Sequence, residues 1–514
     1  MTAIETVFNH STLTQAKLPP LVDHKRQDDR DLDLQGSAAQ ATFLINGNSY
    51  FAELARALRQ ARRTVWIIGW DFNPDILMEP DKSGETLADL LHGLAAENPE
   101  LEIRILVWAL GPLYSNKSLQ LFRKKNFPKN ARIDLRFDFQ RVFGGCHHQK
   151  LVCIDDAVSF IGGMDLTARR WDTWLHRAKD KLRRDPAGVS YDPLHDVQAM
   201  VTGDAAKLIG DIARRRWEAA TGESHPPLAT SAPFVWPDDL PVSMRDISVS
   251  FALTEPSTAL RTGVSDGIDM TLDVISRAKR SLYIEAQYLA SFRVADAIAA
   301  RLEEDDGPEV IIICTRSSHG LIEKLVMGNN RDRVIRRLTR ADRAHRLRIY
   351  YPVVPGPAVP SPPAAGRASP ASTEVEVEVL VHSKLIIADD KLVRIGSSNI
   401  NNRSEAIDTE CDMLLEADGE DQRQGIVDLR NRLLSEYLGR AAETFAAAFT
   451  RTGSVIEAIE TLNDGRRGLR EFTVDMAGST KPVMGTALFD PGKPKTLLSR
   501  LGLGALVRRL ARPT

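Results

Sequence analysis

The sequence predicts an α/β fold of two tandem units, each a mixed or parallel sheet flanked by helices, packed as a pseudo-two-fold pair. Three observations lead there. From about residue 41 onward, short β-branched runs alternate with segments of helical periodicity. The same series of segments returns roughly 200 residues later. A histidine–lysine–aspartate pattern occurs twice, once in each copy.

Residues 1–40 are polar and charge-rich (HKRQDDRDLDLQGS) and read as a poorly ordered arm. Residues 50–63 (YFAELARALRQARR) place apolar side chains at helical spacing and run into a buried strand at 64–72 (TVWIIGWDF). A second helix is expected over 86–94, a strand over 101–108, and a half-buried strand over 132–139, where RIDLRFDF alternates.

The order then recurs. Residues 61–68 (ARRTVWII) are echoed by 278–285 (AKRSLYIE), an offset of 217; 102–108 (EIRILVW) by 309–315 (EVIIICT), an offset of 207. Residues 132–137 (RIDLRF) are echoed by 346–351 (RLRIYY), an offset of 214. The units are expected at 41–235 and 240–450, with a C-terminal extension over 451–514. The boundary falls in 222–239, rich in Pro, Ser and Thr, whereas the Pro-dense stretch 352–370 reads as a surface loop inside the second unit.

Composition narrows the classes. Hydrophobic residues make up 43% and charged residues 26%, as in a soluble globular protein. The formal net charge of -2 supplies no global field for gathering nucleic acid. Cys146, Cys153, Cys314 and Cys411 follow no zinc spacing and lie in or beside apolar runs, so they read as buried thiols, with no metal and no cofactor expected. The N-terminus has no basic stretch followed by an apolar core, and no apolar run is long enough to span a bilayer. A cytoplasmic protein with peripheral membrane contact is the expectation; export without a cleaved signal stays open.

The chemistry concentrates in the paired motifs. The first is His148, Lys150 and Asp155, followed by Gly162, Gly163 and Asp165. The second is His382, Lys384 and Asp389, followed by Gly396, Ser397 and Asn399. Spacing is identical in both: Lys two after His, Asp five after Lys, Gly seven after Asp. Strand alternation puts each His and Lys on one face, and the small turn lets backbone approach an anion. Two imidazoles and two ammonium groups around one pocket suit a phosphodiester. Paired lysines stabilise charge on the non-bridging oxygens, a neutral His attacks phosphorus, and a protonated His donates to the leaving oxygen. A coupled pair of this kind predicts a bell-shaped pH profile.

Residues 148–172 and 382–412 resemble the paired motifs of the phospholipase D superfamily, and the likeness covers roughly residues 42–440. Residues 283–288 (YIEAQY) are similar to that family's IENQYF strand, with Ala286 and Leu289 as departures, and His195-Asp196-Val197 to its HDV segment. The resemblance is closer to true phospholipases D than to short single-motif nucleases. It implies a covalent phosphohistidine resolved by water or an alcohol, with His148 as nucleophile and His382 as general acid, then base; exchange of these roles stays open. It also implies Lys150 and Lys384 on the phosphate with Asp165, Ser397 and Asn399 nearby, and Asp196 and Glu410 orienting the histidines. Asp155 and Asp389 belong to the catalytic motifs as supporting residues.

The expected substrate is a glycerophospholipid, with no nucleic acid and no obligate partner. The alternatives are a cardiolipin-synthase-type phosphatidyltransferase, a nuclease of the same superfamily, and a non-catalytic scaffold disfavoured by two intact motifs. His147 has the wrong phase for the shared face and reads as a bystander. Eight arginines over 331–348 read as a solvated helix face or a dock for anionic head groups. The tail after Asp490, with Lys493, Lys495, Arg500, Arg508, Arg509 and Arg512, reads as basic and amphipathic, suited to an anionic membrane or to packing on the body.

Overall fold

The computed structural model describes residues 34–111, 132–139, 142, 144–258, 262–317, 321–357, 359–360, 372–373, 375–483, 486 and 490–491. The expectations for the N-terminal arm before residue 34 and for the basic tail after residue 491 lie outside them. Leu34–Thr514 forms one compact unit.

The first half runs β1 (Gln35–Ile45), α1 (Asn46–Leu58), β2 (Thr64–Gly69), α2 (Leu87–Glu97), β3 (Glu102–Trp108) and β4 (Ile133–Asp138). It continues through β5 (Leu151–Ile154), β6 (Val158–Gly162), β7 (Leu194–His195), β8 (Val197–Thr202) and α3 (Asp204–Thr221). The second half opens with β9 (Met244–Glu255), β10 (Val264–Ser265), α4 (Asp266–Arg277), β11 (Ser281–Ala286), α5 (Phe292–Glu303) and β12 (Glu309–Cys314). Next come α6 (Leu321–Ala341), β13 (Leu347–Pro355), β14 (Val359–Pro360), β15 (Ser372–Thr373), β16 (Glu376–Glu378) and β17 (Leu380–Val381). The motif strands β18 (Lys384–Ala388) and β19 (Leu392–Gly396) precede α7 (Asn402–Ala406), β20 (Glu410–Glu416) and α8 (Glu420–Leu438). Finally, α9 (Ala442–Thr452) and α10 (Val455–Leu462) lead to β21 (Gly468–Glu471).

Strand pairing gives one continuous order: β4, β3, β2, β5, β6, β8, β1, β9, β20, β19, β18, β11, β12, β13. It reads the same outward in both directions from the central antiparallel pair β1–β9, where Ala41 faces Met244. This is the pseudo-two-fold arrangement expected from the repeat. In each half the outer three strands are parallel and the motif hairpin is antiparallel.

Both faces of the sheet are covered, which is why its strands read as near-continuous apolar runs. Val65, Ile67, Ile103 and Ile105 point to a cluster under α1 and α2, while their neighbours Trp66, Ile68 and Leu106 join a central core with Trp217 of α3 and Leu433 of α8. A third cluster packs α4, α5 and α6 on the second half. The expected helix over 86–94 begins with Thr86, whose hydroxyl accepts the Asp89 N–H at 3.1 Å while Asp89 accepts the Thr86 N–H at 3.1 Å.

Two boundaries differ from the sequence reading. β1 begins at Gln35, inside the stretch read as an arm to residue 40. Its small residues Gly36, Ser37 and Ala38 carry no periodic apolar signal, yet they pair with β9 and leave room for α3. Pro352 and Pro355 belong to β13 and not to a loop; β21 of the C-terminal extension pairs with this same strand. Residues 222–243 carry no helix or strand, and the halves share one sheet across β1 and β9. Among the described residues no helix is long and apolar enough to cross a membrane.

Candidate active site

Both motif histidines stand just before their strands, β5 and β18, where the antiparallel motif hairpin meets the C-terminal ends of β2 and β11. His148 is fixed from the second half of the chain. Its N–H donates to Thr409 O at 3.0 Å, and its Nδ1 lies 2.9 Å from Glu410 Oε2. His382 is fixed from the first half: its N–H donates to His195 O at 2.8 Å, and its Nδ1 lies 2.7 Å from Asp196 Oδ2. Each repeat therefore orients the other's imidazole and leaves Nε2 for chemistry. Asp196 and Glu410, named from the family pattern as orienting acids, occupy those positions.

The lysines lie beneath. Lys150 Nζ donates to His148 O at 2.9 Å and pairs with Asp165 Oδ2 at 3.4 Å. Lys384 Nζ donates to His382 O at 2.5 Å and to Gln287 Oε1 at 3.2 Å. Burial pushes both motif imidazoles well below their ordinary range, and both lysines add to this for each ring, so the two half-sites share one field. Burial also lowers the Lys384 ammonium to about 7 against the pull of Asp196. It raises Asp196 to about 6 and Glu410 to about 7, opposed by Lys384 and Lys150 respectively.

The pseudo-symmetry breaks where the two orienting acids are held. Ser397 and Ser404 hydroxyls each donate to Glu410 at 2.6 Å. Around Asp196 the position matching Ser397 is Gly163, where a Cβ would fall 2.2 Å from Asp196 Oδ1. The Gly there is a matter of space.

The motif aspartates keep the supporting place read for them, while Ser397 and Asp165 take partners other than a phosphate. Asp155 sits at the far end of β5 and accepts the N–H groups of Arg62, Arg63 and Thr64 at 2.6, 2.8 and 2.7 Å. Asp389 does the same for Lys279, Arg280 and Ser281 at 2.9, 2.7 and 2.8 Å. Both therefore tie the turn before β2 or β11 to the motif hairpin and do not join the catalytic group. Ser397 commits its hydroxyl to Glu410, and Asp165 accepts the Trp70 N–H at 2.8 Å beside Lys150. They hold the acid and the lysine; an anionic Asp165 would repel a phosphate. Asn399 donates its backbone N–H to Ser404 Oγ at 3.0 Å, and its Oδ1 is buried without a hydrogen-bond partner.

The bystander reading of His147 fits its place: fully buried, with Nδ1 2.9 Å from Asp138 Oδ2. All four cysteines are buried and free. Of the arginines over 331–348, all but Arg343 engage the protein. Arg333, Arg336 and Arg340 cap carbonyls of Thr480, Asp475, Ser479 and Met476, and Arg348 binds Glu460. A free head-group dock is not what this helix presents. Sequence reasoning assigned no role to His176, Glu285 or Glu436, which lie buried behind His382. Glu285 stood inside the quoted YIEAQY strand, but nothing marks Glu436 locally.

Residues 57–293 match a family model described as Phospholipase D, and residues 271–424 one described as Cardiolipin synthase, PLD-like domain. Phospholipase D1 of Saccharomyces cerevisiae is 23% identical over 522 residues, which cover 77% of this chain and 28% of the relative. Phospholipase D C of Dictyostelium discoideum is 26% identical over 224 residues, 36% of this chain and 14% of the relative. The chain thus spans less than a third of the length of these curated relatives. Phosphatidylserine synthase of Haemophilus influenzae superposes with a TM-score of 0.51 at 14% identity, over 83% of this chain and 97% of that structure, a likeness of fold. The chain belongs to the phospholipase D superfamily.

Proposed function

We propose that this chain is a phospholipase D-type phosphodiesterase and phosphatidyltransferase that cleaves the head group of glycerophospholipids through a covalent phosphohistidine. The observation that carries it is the crossed pairing, His148 with Glu410 and His382 with Asp196, above two buried lysines. Glu410 holds the Nδ1–H tautomer of His148, which leaves the Nε2 lone pair to attack phosphorus. Lys150 and Lys384 take the charge that develops on the non-bridging oxygens. His382 Nε2–H protonates the leaving oxygen, then removes the proton of the incoming water or alcohol, whose oxygen displaces His148 from phosphorus.

Burial and the neighbouring lysines bias both imidazoles toward the neutral form. The bound phosphodiester anion supplies the counter-charge that lets His382 carry its proton. His148 as nucleophile and contact with a membrane surface belong to this proposal. So does an alcohol acceptor borne by a second lipid, which the cardiolipin synthase description of the second matching model supports.

The test is product analysis by mass spectrometry after incubation with mixed phospholipid vesicles and a primary alcohol. The expected result is phosphatidic acid and phosphatidyl-alcohol with the wild type, and about a 10⁴-fold loss in His148→Ala and in His382→Ala. No lipid turnover, with DNA or RNA cleaved instead, would overturn the proposal in favour of a nuclease.

A further inference from the structure

Behind His382 runs a buried chain of alternating charges that crosses from one half of the molecule to the other. Arg183 donates to Asp172 Oδ1 at 3.0 Å, and His176 Nδ1 lies 3.0 Å from Asp172 Oδ2. His176 Nε2 and His195 Nδ1 both lie 3.0 Å from Glu436 Oε1, and His195 Nε2 lies 3.0 Å from Glu285 Oε2. That same Oε2 accepts the Ser383 hydroxyl at 2.5 Å, while Oε1 accepts the hydroxyls of Tyr283 at 2.5 Å and Tyr437 at 3.1 Å. Asp172, His176, Arg183 and His195 come from the first half; Glu285, Ser383 and Glu436 come from the second.

The charges balance when both rings are imidazolium: three carboxylates against Arg183, His176 and His195. All four ring nitrogens then donate, each to a carboxylate oxygen. Burial opposes this state, but Glu285 and Glu436 outweigh it and raise His195 to about 10, and Asp172 and Glu436 likewise raise His176.

The chain ends where the chemistry begins. Ser383 lies between His382 and Lys384, and His195 precedes Asp196 and accepts the His382 N–H on its carbonyl. Asn46 closes the frame, with its side chain on Glu436 at 2.8 Å and its backbone N–H on Asp196 O at 2.8 Å. Among the described residues the first motif has no such support. The position matching Ser383 is Gln149, which donates to the Glu410 carbonyl at 3.2 Å, and the position matching Glu285 is Ile68.

We propose that His195 is a positioning residue: an imidazolium clamped between Glu436 and Glu285 that sets His382 through Ser383 on one side and Asp196 on the other. This rests on the phosphodiesterase reading, with His382 as the general acid. The atoms of His176, His195 and Glu436 also lie within 4.8 Å of one another, a spacing a metal ion could use. Carboxylates on all four ring nitrogens favour protons over a metal.

The experiment compares first-turnover release from phosphatidyl-p-nitrophenol and phosphatidylethanol, since p-nitrophenolate leaves without a proton and ethoxide does not. In His195→Gln, ethanol release should fall about 100-fold while p-nitrophenol release stays within about threefold of the wild type; Ser383→Ala should show the same pattern at about tenfold. Equal losses on both substrates, or no loss on ethanol release, would overturn the positioning role. Wild-type protein inert toward both substrates would instead sink the phosphodiesterase reading. Ring-nitrogen NMR of ¹⁵N-histidine-labelled wild type judges the clamp independently of activity and of variant folding. Two doubly protonated, slowly exchanging rings at pH 8 are expected; neutral rings or a stoichiometric bound metal would refute it.

Discussion

Replacing Asp389 separates its place in the motif from a place in the chemistry. Its Oδ1 accepts the N–H groups of Arg280 and Ser281, and its Oδ2 accepts that of Lys279. Hydrogen bonds to a charged group contribute about 1.5 kcal/mol or more each, and two of these amides are exposed, so Asp389→Ala should cost about 3 kcal/mol. Its φ of 57 adds about 1 kcal/mol for Ala, whereas Asn tolerates the left-handed region. Asp389→Asn keeps the Oδ1 acceptor and loses only the Lys279 bond, so about 1–2 kcal/mol is expected. With an unfolding entropy of ~2.1 cal/mol/K per residue over Leu34–Thr514, or ~1 kcal/mol/K, the Ala variant should melt about 4 °C lower. The assay is urea unfolding at constant m-value beside turnover per folded molecule. Activity lost by 100-fold or more with stability unchanged would refute the supporting role and place Asp389 in the chemistry.

Other expectations follow from the site. Gly163→Ala should lower turnover by about 100-fold, because its Cβ would displace Asp196 and with it His382; wild-type turnover with an unmoved His382 pKa would contradict this. Glu410 titrates higher in the folded protein (about 7) than its ordinary 4.5, so the folded state binds more protons between these values and stability falls as pH rises through them. That loss is on the order of 3 kcal/mol and should vanish in Glu410→Gln, as read by denaturation midpoints from pH 4.5 to 7.5; parallel curves would argue against it. A thiol reagent should label none of the four buried cysteines before unfolding and all four after it, and fast native labelling would expose an error in the packing.

The candidate group was legible because strand alternation and two identical spacings are local properties of the chain. His148, Lys150, His382 and Lys384 could be read directly, and the repeat foretold a pseudo-dyad. What stayed hidden depends on pairings far apart in sequence. Ser397 carried the signature of a phosphate-binding turn, yet its hydroxyl turns toward Glu410, thirteen residues on and one strand away. His176 and Glu436, 260 positions apart, share a bond that no window of sequence contains. β1 was missed at its start because Gly, Ser and Ala beside a packed helix leave no apolar rhythm.

The exchange of orienting acids between the repeats bears on how the chain is made. A nascent polypeptide that has released only its first half presents His148 with no Glu410 to choose its tautomer, and holds Asp196 with no imidazole to serve. The crossed pairing is thereby deferred until the last motif has folded back across the sheet. A chain cut short, or stalled in synthesis, keeps only one member of each imidazole–carboxylate pair.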